Sequence, residues 1–141
     1  MEIVWTSGLP SKPGIYWFDP GFRLDPIDHP MVIKVWGGGT TYGYGDFGSG
    51  PIDCYYSPEV CPKARYAEIQ PPGEWLGPEC IREGARAWVR DPKGCLGFGL
   101  LRPGYHGKVG GSLLWLSGGD SHGGWIGDDH RFSPVAIPIL Q

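Results

Sequence analysis

The chain has 141 residues, of which 25 are Gly and 15 are Pro, together with 7 Trp, 7 Tyr and 5 Phe. A Gly and Pro share this high without a period is the composition of a disordered segment, but the aromatics argue against that class, since each buried ring removes about 150–250 Å² from water and offsets the ordering of a turn-rich backbone. Twelve Lys and Arg against fifteen Asp and Glu give a net charge of −3 with neither sign in blocks, so both a direct nucleic-acid binder and an acidic duplex mimic are disfavoured.

Along the chain, apolar segments are short and bounded by turn residues. Residues 15–18, 31–36, 66–69, 85–89, 96–101, 113–116 and 135–140 each read as a strand of four to six residues. Ser57-Pro58-Glu59 reads as an N-cap followed by a first-turn Pro, and the run from Pro78 to Glu83 ends at Gly84, so one or two short helical turns are expected. No helical period reaches ten residues without meeting Gly or Pro. The predicted class is mainly β, built from compact antiparallel sheets. No apolar run approaches the ~20 residues that cross a bilayer, so no membrane partner is expected.

A weak internal duplication is readable. The stretch from Gly14 to Gly21 aligns with that from Gly84 to Gly94, each running an aromatic strand into an Asp-Pro turn. Arg65-Tyr66 followed by a short strand and Pro71 resembles Arg131-Phe132 followed by a short strand and Pro138. The offsets are 70 and 72 at the start and 66 near the end. Two fused pseudo-repeat units are therefore predicted, residues 1–73 and 74–141, joined at Pro71-Pro72-Gly73-Glu74 and packed as one globular domain. One such unit alone has a marginal core, and fusion would let each sheet cover the other's apolar face.

Signatures of catalysis and cofactor binding fail one by one. Gly43-Tyr44-Gly45-Asp46-Phe47-Gly48 matches a dinucleotide fingerprint, but Ser49-Gly50-Pro51 cannot propagate the helix that motif needs. Gly107-Lys108 lacks the Ser or Thr of a phosphate loop. Asp120, Ser121 and His122 are neighbours in sequence, which in extended backbone sends them to opposite faces. Asp120, His122, Asp128, Asp129 and His130 gather metal-type ligands within eleven residues, and a polar loop explains them without a metal. No cofactor and no metal are expected.

Two segments have the composition of a contact surface. Residues 37–50 interleave Gly, Ser and Thr with Tyr42, Tyr44 and Phe47, a mixture in which rigid rings supply area and small residues let the backbone adapt. Arg86, Trp88 and Arg90 alternate with Ala85, Ala87 and Val89, giving a strand one cationic and aromatic face, of the residue types that dominate interface energetics. The competing reading of that strand is a solvated edge with an Arg lying over the Trp.

Cysteines at 54, 61, 80 and 95 form no CxxC pair. With no signal-like opening, reduced thiols and a cytoplasmic location are expected. The opening Trp5-Thr6-Ser7-Gly8-Leu9-Pro10-Ser11-Lys12-Pro13-Gly14-Ile15-Tyr16-Trp17 resembles the start of small uncharacterised proteins encoded by phages and prophages. The resemblance covers about the first 20 residues and brings no binding or catalytic residue with it. It implies a bacterial host cell as the setting. In that setting the expected function is a non-enzymatic accessory protein that binds a host protein complex and inhibits a bacterial defence system, such as a CRISPR effector. The alternatives are a binder of a small nucleotide signal, a virion or assembly component, and a small metal-dependent enzyme using His122, Asp128 and His130.

Overall fold

A computed structural model of the chain describes residues 3–22, 29–36, 41–44, 50–51, 56–104, 108–115, 122–126 and 128–140. It is mainly β, with two antiparallel sheets and a single 3₁₀ turn, Pro78–Cys80, among the described residues. The chain divides into two units, residues 1–69 with 137–141, and residues 70–136.

The first unit contains β1 (Thr6–Ser7), β2 (Gly14–Asp19), β3 (Met31–Val35), β4 (Thr41–Tyr44), β5 (Gly50–Pro51) and β6 (Arg65–Glu68), in the spatial order β1-β6-β2-β3-β4-β5. Alternation sends Tyr16, Phe18, Met31, Ile33 and Val35 to one face, where they pack with Cys61 and Ala64. Tyr16 Oη donates to the Lys12 carbonyl at 2.8 Å, which fixes the turn that feeds β2. Trp17, Val32, Lys34 and Ala67 occupy the opposite face and are buried as well. The predicted turn at Ser57 is one hydrogen-bonded turn, with the Ser57 carbonyl accepting from the amides of Val60 and Cys61.

The second unit contains β7 (Ala85–Arg90), β8 (Leu96–Pro103), β9 (Val109–Trp115), β10 (His122–Ile126) and β11 (Arg131–Val135), ordered β10-β9-β8-β7-β11. Outside β11, Leu76 forms a bridge to Phe132, each amide donating to the other's carbonyl at 2.7 and 2.9 Å. The core face carries Ala87, Val89, Leu101, Val109, Leu113, Ile126 and Phe132, closed by Ile81. Gly99 in β8 is forced by proximity, because a Cβ there would run into the Ser112 carbonyl of β9, and Gly111 combines a φ of +154° with a Cβ position against Leu100 O.

The five strands of the second sheet repeat β2 to β6 of the first in order and in register. Trp17 lies opposite Val32 and Ala67, and Trp88 lies opposite Phe98 and Ser133. Phe18 faces Tyr66 as Val89 faces Phe132, and Val35 faces Thr41 as Leu101 faces Gly111. The outermost pairing repeats too: Thr6 with Tyr66, and Leu76 with Phe132, reproduce the predicted offsets of 70 and 66. Trp17 and Trp88 are 71 apart, between the 70 and 72 read from the flanking Gly and Asp-Pro.

Two boundaries differ from expectation. The predicted joint at 71–74 belongs wholly to the second unit, because the Gln70 carbonyl accepts from Trp88 Nε1 at 2.6 Å and the Gly73 amide donates to Ser133 Oγ at 2.8 Å. The predicted strand at 135–140 is instead β11 at Arg131–Val135: beyond it the chain passes to the first unit at residue 137, and Pro138 has no amide to add to a ladder. Four strands, β1, β4, β5 and β10, have no counterpart among the predicted ones, and β4 and β10 fall in glycine-rich segments read as loops.

Candidate functional site

The predicted Arg-Trp-Arg face does not form an open surface. β7 is an inner strand, flanked by β8 and β11, so it has no free edge. Trp88 is 6% exposed and Arg86 5%. The Trp88 ring meets Phe98 edge to face, centroids 5.1 Å apart, while its indole N–H is satisfied by Gln70. Arg86 donates to the Gly84 carbonyl at 3.4 Å. Period-two alternation places these residues correctly on one face, but that face is covered. Only Arg90, at the end of the strand, reaches solvent.

Of the glycine-tyrosine segment, Tyr42 and Tyr44 lie on β4 at register positions opposite Lys34 and Val32, and Phe47 lies outside the described residues. In the acidic loop Asp120 also lies outside them, and His122 begins β10. His130 Nδ1 is 3.2 Å from Asp129 Oδ1, an exposed contact. Among the described residues no group of three metal-ligating side chains occurs. No helix among them is long and apolar enough to cross a membrane.

What the structure does assemble on the surface is a corner of the second sheet that sequence reasoning captured only through Arg90. The Arg90 guanidinium lies over the Trp75 ring, 4.7 Å from its centroid. Arg90 is directly opposite Arg131, so both side chains leave the same face of the sheet, and both are exposed. Arg131 Nη1 donates to the carbonyls of Asp128 and His130, at 3.0 and 2.8 Å. Stacking on an indole holds the guanidinium plane without consuming its in-plane donors.

The first unit builds the equivalent corner differently. Trp5 and Trp75 each precede the residue that pairs outermost, Thr6 and Leu76, and each carries a guanidinium. Over Trp5 it is Arg65, at 4.5 Å, and Arg65 Nε donates to Asp19 Oδ2 at 2.8 Å. Asp19 is buried and its Oδ1 accepts from the Gly21 amide. The register places Arg90 where Asp19 stands and Arg131 where Arg65 stands. The signal was present in the sequence: the offset of 70 that aligns Gly14 with Gly84 also aligns Trp5 with Trp75.

Beside this corner, Asp91 is held in an Asx turn. Desolvation is the largest single influence and works against the charge, but the amides of Cys95 and Lys93 donating to Oδ1, the Cys95 side chain and nearby His130 together hold its carboxyl below the ordinary range. Cys61, Cys80 and Cys95 are free thiols, and burial raises the pKa of Cys61 and Cys80. A raised thiol pKa is the reverse of what a cysteine nucleophile requires.

Compared with models of known families, with curated proteins and with solved structures, the chain matches none.

Proposed function

We propose that this chain acts by binding a macromolecular partner, and that the corner formed by half-buried Trp75 with exposed Arg90 and Arg131 is the principal contact. The observation that carries this reading is Arg90 itself, an exposed arginine lying over an indole and directly opposite a second exposed arginine on the paired strand. Arg and Trp are the side chains that most often anchor protein interfaces, and a pre-oriented Arg loses less entropy on docking than a free one. Tyr42, Tyr44 and Phe47 stay in the proposal as a second contact on composition alone. Arg86 and Trp88 leave it, since both are buried.

The resemblance of the opening segment to phage and prophage proteins selects the partners to try first: protein complexes in the cytoplasm of a bacterial host, with defence complexes such as CRISPR effectors at the head. In that role the protein inhibits by occupying a surface and needs no catalytic group. Size-exclusion chromatography with candidate complexes tests the reading. The wild-type chain is expected to co-elute with its target, and the Arg90→Ala, Arg131→Ala double variant is expected to elute alone. Co-elution undiminished in the double variant would reject this surface.

A further inference from the structure

We propose that the corner of Trp75, Arg90 and Arg131 accepts a carboxylate from an acidic segment of a protein partner, the group that Asp19 supplies internally in the first unit. This inference rests on the reading of that corner as the contact surface. The repeat provides the template. In the first unit a tryptophan, a guanidinium stacked on it and a carboxylate form a closed set, Trp5, Arg65 and Asp19, with the acid and the arginine directly cross-strand. In the second unit the tryptophan remains, but the acid's position holds Arg90, which itself takes the place over the ring.

The result is two cations directly opposite on one ladder, an arrangement that destabilises a sheet unless something offsets it. Arg131 bends toward the 128–130 turn and uses Nη1 on two carbonyls, while among the described residues its Nε and Nη2, and every donor of Arg90, lack an acceptor. The neighbouring acids do not supply one. Asp91 Oδ1 is occupied by the amides of Lys93 and Cys95, and Asp129 is turned to His130. Among the described residues neither arginine forms an ion pair. A guanidinium that lies over an indole and bonds no other group keeps its N–H donors for a carboxylate, which it can take in bidentate fashion. A carboxylate, not a nucleic-acid phosphate, is indicated because the first unit closes the same set with a carboxylate, and because a polyanion backbone needs a run of cations that this chain of net charge −3 lacks.

The test is fluorescence anisotropy of a labelled octaglutamate peptide at low ionic strength, with the full chain, Arg131→Gln and Arg90→Asp, and with a labelled octathymidine strand as the phosphate probe. Arg90→Asp rebuilds the Asp19–Arg65 arrangement across the same register, so it is expected to raise the Tm while abolishing peptide binding. Arg131→Gln is expected to weaken the peptide by about tenfold or more while leaving the Tm within a degree or two. Added salt should weaken binding in the wild-type chain. Peptide binding by Arg90→Asp at wild-type strength, no peptide binding by the wild-type chain, or tighter binding of the oligonucleotide than of the peptide each overturns the proposal. If the peptide fails but the chain still co-elutes with a host complex in an Arg90-dependent manner, the carboxylate assignment fails alone; if co-elution ignores Arg90 and Arg131, the contact surface itself is wrong.

Discussion

Replacing Trp88 separates a buried structural role from a surface one. The side chain is 6% exposed, meets Phe98 edge to face at 5.1 Å, and donates its indole N–H to the Gln70 carbonyl at 2.6 Å. Trp88→Ala removes the whole ring, which costs about 3–5 kcal/mol through lost burial and the cavity left behind. It also orphans the Gln70 carbonyl, adding about 1–3 kcal/mol, so the total is about 4–8 kcal/mol. Trp88→Phe retains most of the aromatic contact but loses the hydrogen bond and part of the volume, and is expected to cost about 1–3 kcal/mol. Urea unfolding followed by circular dichroism, with the slope checked for constancy between variants, measures both. A loss for Trp88→Ala below about 1 kcal/mol would refute the burial argument, since truncation of a solvated interface residue stays near zero.

Three further outcomes follow from other parts of the fold. Asp19→Asn keeps the shape but removes the charge that meets Arg65; because that arginine's side chain is 33% exposed, the loss in urea stability should be about 1–3 kcal/mol, below the full cost of breaking a buried pair. Gly99→Ala should destabilise by about 1–3 kcal/mol or more by the same measurement, because the new methyl meets the Ser112 backbone, which cannot swing aside. Burial raises the pKa of Cys61, Cys80, Tyr16 and Tyr56, so the native state holds these protons more tightly than the unfolded chain does. Their contribution is complete below the ordinary thiol range and is lost as pH rises through the native values, so the urea midpoint should fall from about pH 8.5 upward; a midpoint flat to pH 10 would contradict it.

Much of the architecture was legible because its causes are local. Short apolar runs stopped by Gly and Pro admit strands and little else, and two strands ending in Asp-Pro at Asp19 and Asp91 expose the repeat. The strands β1 and β5 escaped notice because two residues have no period, and β4 and β10 because their glycines break the apolar alternation; each is defined by its pairing, with β6, β4, β3 and β9. The contact surface was legible only in part. Alternation told that Arg86, Trp88 and Arg90 share a face, but whether a face is wet depends on what crosses it, and here Gln70 and Gly73 tie down over Trp88 and Ser133. Trp75 and Arg131 become neighbours of Arg90 only when β11 pairs with β7, a relation the sequence carries in the repeat offsets that align Trp5 with Trp75 and Arg65 with Arg131, not in any local motif.

The first unit is discontinuous, since residues 137–141 belong with residues 1–69, and Leu140 is buried. During synthesis from the N-terminus, the whole of residues 70–136 therefore leaves the ribosome before the piece that completes the earlier unit. The unit translated first is finished last, and until residues 137–141 emerge it lacks the segment that carries the buried Leu140, an incompletely folded state of the kind that chaperones bind.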